Sequence, residues 1–317
     1  MTINRKKFLK NLGLTTAVGF TAPQLFSSPI PHQENPVPFT RVAHLTDIHI
    51  FDNKAAIEGT AKALAYVNGL DRKPDFLFTG GDSIMDSLGK TKESAKAQWA
   101  IWQAALQQNK LPVLSCIGNH DVWGWSMPFV KSKRTHDYSK QWAADELKMP
   151  NRYYAKQIGK WKVIVLDSTY PVVGLGYQAR LDDEQTEWLK GELQATPSQQ
   201  FVCVLSHIPI LSVTTFFDGK TEKTGGGFNI SRANTHSDAR MLKDLFYKHS
   251  NVKTALSGHI HLVDDVEYLG VKYCCNGAVC GAWWNGKNQE FGPGVAIVDL
   301  YDDGRVENKM VYMDTIR

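Results

Sequence analysis

Ten histidines are spread along this chain of 317 residues, and five of them stand in short polar blocks that each follow an apolar run. The blocks are Asp47-Ile48-His49, Gly80-Gly81-Asp82, Gly118-Asn119-His120-Asp121, Ser206-His207 and Gly258-His259-Ile260-His261. Imidazole, carboxylate and carboxamide groups hold metal ions, and histidine also moves protons near neutral pH. In the last block, alternation along an extended backbone points His259 and His261 to one side and turns Ile260 into the core. Two imidazoles aimed at one point suggest a shared metal partner. Singly, each block is weak, since a D-x-H is trivial, a G-G-D is a turn and a histidine before Ile-Pro is often a core residue. The other histidines (His32, His44, His136, His236 and His249) read as surface, cap or packing residues, with His236 at a helix start and His249 at a helix end.

The runs that must position these blocks are RVAHLTDIH (41–49), DFLFTGGD (75–82), LPVLSCIGNHD (111–121), FVCVLSHIP (201–209) and VKTALSGHIH (252–261). A further strand-like run is WKVIVLDS (161–168), and helical patterns lie near 54–69, 91–108, 183–194 and 236–248. Strands alternating with helices imply a largely parallel, helix-covered sheet. Ligands of open α/β sheets bind outside the carboxyl ends of the strands, where all five blocks fall. From residue 263 on the pattern is strand-rich, which suggests a second sheet packed against the first. Two long loops, 122–150 and 211–235, interrupt the alternation. Such loops are often lids or binding segments, and a surface insertion fits the second nearly as well.

Taken in order, the five blocks resemble the calcineurin-like metallophosphoesterase superfamily (D-x-H, G-D, G-N-H-D/E, a lone H and G-H-x-H) over residues 41–261. The likeness is to its bacterial exported phosphodiesterases and phosphatases. It implies an α/β fold of two facing mixed β-sheets flanked by helices, a four-layer αββα sandwich with a dimetal site at the strands' C-terminal edge. It further implies that Asp47, His49 and His261 hold one ion, Asn119, His207 and His259 the other, and that Asp82 bridges them. A bridging carboxylate suits the roughly 3.5–4 Å spacing of two-metal hydrolysis. Mixed histidine and carboxylate ligation favours Mn, Fe or Zn over Mg or Ca. His120 has no metal in this scheme, and the resemblance makes it the catalytic group beside the leaving oxygen. Asp121 reads mainly as a structural turn residue, with orienting a histidine as the alternative. Purple acid phosphatases carry a tyrosine three residues after the bridging aspartate, where this chain has Met85, so a tyrosinate-bound ferric ion is not expected. The aspartate that orients the catalytic histidine of protein phosphatases comes one position late, as Asp86 followed by Ser87, which disfavours that activity.

The composition, 43% hydrophobic and 21% charged, is that of an ordinary globular protein. No apolar stretch is long enough for a transmembrane helix. Residues 1–28 start with Arg5, Lys6, Lys7 and Lys10, continue weakly apolar and read as an export signal similar to the twin-arginine type, with Lys6 in place of the second arginine. Residues 29–39, with four prolines, are a lead-in linker, and 40–317 form the metallophosphoesterase domain. The expected location is therefore periplasmic or secreted. The first thirty residues hold four basic groups and no acid, so the formal charge of +4 leaves the remainder near neutral. That argues against a nucleic-acid partner. Five cysteines (116, 203, 274, 275 and 280) include no C-x-x-C zinc pattern, and pairing of Cys275 with Cys280 stays open.

Beyond the metal blocks, GAVCGAWWNGK (277–287) carries adjacent Trp283 and Trp284. One reading makes both packing residues, as tryptophan is highly buried on average. The functional alternative packs one indole while its neighbour covers the substrate. It takes Trp284 as the substrate-binding residue, with Trp123 on the opposite wall, or Trp125 in its stead. The expected function is dimetal-dependent hydrolysis of a small-molecule phosphate mono- or diester by a metal-activated water. A non-catalytic metal-binding protein of the same fold and an extracytoplasmic nuclease are the alternatives. No ligand is missing and the charge is near neutral, which weighs against each in turn.

Overall fold

The computed structural model describes residues 39–127, 140–172, 176–219, 222–224 and 227–315. The expected export segment, the lead-in except Phe39, His32 and His136 lie outside the described residues.

Two large mixed sheets carry the chain. The first runs in the order β15 (Val306–Tyr312), β14 (Gly294–Leu300), β1 (Thr40–Leu45), β2 (Phe76–Thr79), β3 (Val113–Ser115). β1, β2 and β3 are parallel, while β14 and β15 add antiparallel strands on the β1 side. The second runs β12 (Val263–Tyr268), β13 (Val271–Asn276), β11 (Val252–Ser257), β8 (Phe201–Leu205), β5 (Trp161–Val165), β4 (Tyr154–Ile158). Its four inner strands are parallel and its two edge strands antiparallel. The strand-rich tail is thus not a sheet of its own. β12 and β13 complete the second sheet and β14 and β15 the first, because a parallel strand's bare edge needs hydrogen-bond partners.

Period-two alternation gives the second sheet two apolar faces. Val163, Val165, Cys203, Leu205 and Leu256 share one core with Val42, Ala43 and Leu45 of the first sheet. Their neighbours Ile164, Val202, Val204 and Ala255 pack instead with α4 (Asp183–Ala195) and α5 (Ala239–Lys248) through Leu189, Leu193, Leu242 and Phe246. Over the first sheet lie α1 (Lys54–Gly69) and α2 (Lys92–Leu106), which contribute Leu64, Val67, Trp99 and Trp102. The result is the four-layer αββα order expected from the resemblance.

Helix starts follow local chemistry. Asn53, Thr91 and Asp182 each accept a backbone N–H of the first turn of α1, α2 and α4. For α5 the expected start at His236 moves to Ala239, since Asp238 is the cap residue and His236 contacts its carboxylate at 2.9 Å. His249 closes that helix as expected. The loop 122–150 contains a helix, α3 (Lys140–Glu146), and the loop 211–235 contains a 3-10 turn at Thr214–Phe216 and a short hairpin, β9 (Glu222–Thr224) with β10 (Gly227–Asn229).

Behind the site, a buried ion-pair network fixes the segment after β5. Lys140 is fully buried, with its Nζ 2.5 Å from Asp167 Oδ2 and from the Thr169 carbonyl. Arg152 joins Asp167 to Asp182 at 3.1 and 2.7 Å. The same segment supports the loop after β8, because Ser168 Oγ accepts the Ile208 N–H at 3.1 Å. Removing one partner strands a buried charge. Asp167→Ala should therefore lower unfolding free energy by about 3–5 kcal/mol, measured by urea denaturation. A loss under about 1 kcal/mol, the level of an exposed pair, would show that the network is not needed.

Candidate metal centre

The loops that carry the polar blocks are not extended. β11 ends at Ser257, and His259 and His261 adopt left-handed backbone at φ 71° and 58°. Asp47, His49 and Asp82 do the same at 53°, 48° and 52°. The expectation of an extended backbone is corrected here, although Ile260 is indeed buried. Left-handed backbone costs an L-residue roughly 1–2 kcal/mol, and a cluster of five is held by its surroundings rather than by preference. Backbone hydrogen bonds do the holding. Asp47 N–H donates to the Gly81 carbonyl at 3.1 Å, His49 N–H to that of Asp82 at 2.9 Å, and Gly258 N–H to that of His207 at 3.0 Å. Glycine is required where the loops touch. A Cβ on Gly118 would stand 2.1 Å from the Asp82 nitrogen, and one on Gly258 2.1 Å from Asp47 Oδ2.

Asp121 is the structural turn residue it was read to be. Its carboxylate accepts the N–H groups of Gly118, Asp82 and Ser83 at 2.8, 3.0 and 2.9 Å, binding the second and third blocks together. Burial and the nearby Asp82 push its pKa up to about 7, against the pull of those N–H groups.

Asp47 and Asp82 each divide their two oxygens between a structural role and the imidazoles. Asp47 Oδ2 accepts from Thr46 Oγ1 at 2.6 Å and from the His259 N–H at 2.8 Å, while its buried Oδ1 has no hydrogen-bond partner. That oxygen lies 3.3 Å from His261 Nε2 and 3.9 Å from His49 Nε2. Asp82 Oδ1 accepts the His120 N–H at 2.7 Å, and Oδ2 lies 3.1 Å from His207 Nε2 and 3.7 Å from His49 Nε2. Asp82 thus faces both groups of histidines.

The imidazoles are oriented from behind. His207 Nδ1 donates to the Gly80 carbonyl at 2.8 Å and His261 Nδ1 to that of Gly281 at 2.7 Å. With those protons placed, both Nε2 atoms face inward. His261 Nε2 meets His49 Nε2 at 3.2 Å, and His207 Nε2 meets His259 Nδ1 at 3.2 Å and Asn119 Oδ1 at 3.1 Å. Converging nitrogens and carboxylate oxygens of this kind are the donor set of a cation. The residues fit two ions as the resemblance implies. His49 and His261 gather with Asp47, and His207, His259 and Asn119 gather on the other side of Asp82. Cys280, buried behind His261 with Sγ 3.8 Å from its Nδ1, is a neighbour that sequence reasoning missed.

Electrostatics point the same way. Burial takes His49 and His259 down to about 3, against the pull of Asp82, so both rings are neutral. For His207 burial is outweighed by Asp82 and Asp47, which lift it to about 9. For Asp47 and Asp82 burial, which would raise them, is outweighed by His207 and other histidines, and both are held below the usual carboxylate range. The two anions call for positive charge at their bare oxygens. Protons meet that call, and so would metal cations.

His120 stands at the edge of the cavity, its ring 4.9 Å from that of His49 and a ring nitrogen within 4.8 Å of ligand atoms of His49 and Asp82. Its Nδ1 is 3.3 Å from Asp86 Oδ1. The one-residue offset of Asp86 therefore does not separate it from the histidine. Gln98 of α2 clasps the Asp86 backbone from both sides, at 3.0 Å to the N–H and 2.9 Å to the carbonyl, and so sets the turn. Burial would lower the His120 pKa, but Asp82 and Asp86 outweigh it and raise it.

The cavity of about 400 Å³ opens over His49, Asp82, His120 and His259. Trp283, 40% exposed, forms one wall, with its ring 4.5 Å from that of His261. Trp284, the indole expected to cover substrate, instead lies over Gly59 of α1 and donates Nε1–H to the His49 carbonyl at 3.0 Å. Of the two neighbours it is Trp283 that lines the cavity and Trp284 that packs. Consecutive left-handed backbone at Trp283 and Trp284 (φ 49° and 66°) decides which ring turns inward, and no sequence pattern reveals it. Trp123 is not among the described residues around the cavity. It bonds the Lys90 carbonyl at 3.0 Å and packs by Trp142 with Lys92 above both rings. Trp125 is fully buried beside Lys140. Tyr177 of β7 (Tyr177–Ala179), paired with β6 (Thr169–Pro171), supplies a wall that the sequence did not signal. All five cysteines are free and buried.

Comparison with known proteins agrees with this geometry. The 3',5'-cyclic adenosine monophosphate phosphodiesterase CpdA of Escherichia coli K12 is 21% identical over 85% of this chain and 88% of its own length. Its counterpart from Vibrio vulnificus is 26% identical over 47% of this chain and 50% of its own. The chain thus spans about half the length of that relative and of the Pseudomonas aeruginosa enzyme of the same name. Among solved structures, a dimetal phosphatase from Danio rerio superposes with a TM-score of 0.59 at 15% identity, covering 87% of this chain and 99% of that one. That likeness shows the fold. The calcineurin-like phosphoesterase profile matches residues 40–263, most of the chain, and this protein belongs to that family.

Proposed function

We propose that this protein is a dimetal-dependent hydrolase of small-molecule phosphate esters, with diesters preferred, and that it acts outside the cytoplasm. One observation carries the reading. Asp82 Oδ2 stands between His49 and His207, while Oδ1 is tied to the backbone of His120 at the cavity. A carboxylate so placed suits two cations, and the same side chain fixes the catalytic histidine beside them. Bound there, Mn, Fe or Zn ions supply Lewis acidity and an activated water.

The remaining work falls to the chain. His49, His207, His259 and His261 hold their rings in fixed directions, with Asp47 and Asn119 completing the two groups. His120 has its Nδ1 engaged by Asp86 and gives a proton from Nε2 to the leaving oxygen as the P–O bond breaks. Asp86 is a positioning residue. Neither lysine nor arginine is among the described residues that line the cavity, which suits a singly charged diester better than a monoester dianion. The names of the CpdA relatives support the same preference. The small cavity and the near-neutral charge after residue 30 favour a small molecule over a nucleic-acid strand. The basic-then-apolar pattern of residues 1–28 supports export to the periplasm or beyond.

Three outcomes test the reading. Asp82→Asn should weaken both metal sites together, because one neutral oxygen cannot compensate two cations. A dialysed variant that retains two ions and full turnover contradicts the assignment. His120→Ala should keep its metal content and slow diester turnover by about 10²–10⁴, and loss of metal would make it a ligand instead. Removing residues 1–28 should leave an active, folded enzyme that stays in the cytoplasm by fractionation, whereas failure to fold would place the segment in the domain.

A further inference from the structure

The cavity has an inner wall of histidines and carboxylates and an outer wall of different chemistry. Outside the metal groups, Asp218 is the one carboxylate among the described lining residues, and no lysine or arginine accompanies it. Lys287, the cation of the loop that bears Trp283, is directed to Asp314 at 3.9 Å. Asn234, itself buried, donates Nδ2–H to Asp218 Oδ2 at 2.5 Å. Two aromatic rings, beside the amides of Asn234, Asn288 and Gln289, also line the cavity. Trp283 is exposed beside His261, and Tyr177 lies with its ring 6.1 Å from that of His259. Burial raises the Tyr177 pKa, and the negative charges around it, Asp218 included, raise it further, so its face is that of a neutral phenol.

This wall is built, not incidental. The turn that carries Asp218 is anchored by Asp264 of β12, whose Oδ2 accepts the Val213 and Thr214 N–H groups at 2.7 and 3.0 Å and Ser212 Oγ at 2.8 Å. Asp218 N–H closes the turn on the Thr214 carbonyl at 3.0 Å. From the opposite side Gln289 donates to the Phe217 carbonyl at 2.9 Å, so the Trp283 loop and the Asp218 turn are joined.

Two aromatic faces and a carboxylate, with no lysine or arginine among the described lining residues, are the surroundings in which a positively charged group is held. We propose that Asp218, Trp283 and Tyr177 form a specificity wall that selects phosphodiesters whose alcohol substituent carries an ammonium group. The inference rests on the phosphoesterase reading and adds to it the charge of the esterified alcohol. A substituent with a further negative charge is disfavoured by the same carboxylate. Hydrolysis itself is unchanged, with water supplying the new P–O bond and a proton for the leaving oxygen.

A matched pair of diesters tests this. p-Nitrophenyl phosphocholine and p-nitrophenyl 3,3-dimethylbutyl phosphate share a leaving group and differ in one atom, a quaternary nitrogen against a carbon. With the full chain loaded with Mn, kcat/KM for the choline diester should exceed that for its carbon isostere by about tenfold, roughly the sum expected of a cation–aromatic and a partly exposed charge contact. Asp218→Asn, which keeps the shape of the side chain, should lower the ratio to about three, the share left by the aromatic faces, with the change carried by KM. A wild-type ratio of about one, or a tenfold ratio unchanged in the variant, overturns the proposal. If neither diester is hydrolysed, the phosphoesterase reading is what fails. Calorimetric titration with choline phosphate and 3,3-dimethylbutyl phosphate then decides the inference. A preference for the cation that Asp218→Asn weakens supports it, and equal affinities overturn it.

Discussion

The structure turns on how two buried aspartates are divided. In Asp47 and in Asp82 one oxygen is consumed by hydrogen bonds that stitch neighbouring loops together, and the other is left facing imidazole nitrogens. A bare carboxylate oxygen in an apolar interior is strongly unfavourable unless positive charge stands beside it. The surrounding elements serve that condition. Parallel strands of both sheets end at the same place, the loops after them turn through left-handed residues, and carbonyls of Gly80 and Gly281 fix the ring directions of His207 and His261. Metal binding and folding are therefore linked, since cations that bind these loops stabilise the conformation that creates their site.

Much of the site was legible because its chemistry depends on residue type and short spacing. Asp47, His49, Asp82, Asn119, His207, His259 and His261 come together from loops of both sheets, as the order of their blocks implied. The helices of the domain were also legible, because caps such as Asn53 and Asp182 and an apolar stripe are local features. What was illegible depends on long-range geometry. Nothing local tells β14 to pair with β1 rather than with the strands just before it. The backbone twist that sends Trp283 to the cavity and Trp284 to Gly59 is fixed by the loop around them, so identical residue types carried no distinguishing signal. Asp86 looked displaced by one position along the chain, yet the turn clasped by Gln98 restores its reach to His120. Trp123 and Trp125 were reasonable wall candidates by sequence proximity, but the loop carries both away, one to Trp142 and one into the core.

Inner and outer walls of the cavity arise from different parts of the fold. The inner wall comes from strand ends, where backbone hydrogen bonds allow little displacement. The outer wall comes from the turn after β8 and the loop after β13, tied to each other by Gln289 and to β12 by Asp264. On the proposed reading, such an arrangement would let a rigid centre handle the phosphate while residues that loop changes can vary distinguish the attached alcohol.

The most direct measurement is anomalous diffraction from crystals of the Mn-loaded protein. The account expects two anomalous peaks separated by about 3.5–4 Å, both within bonding distance of Asp82 Oδ2, with Asp47 Oδ1 on the ion beside His49 and His261. A single ion, or two ions that do not share Asp82, would contradict it.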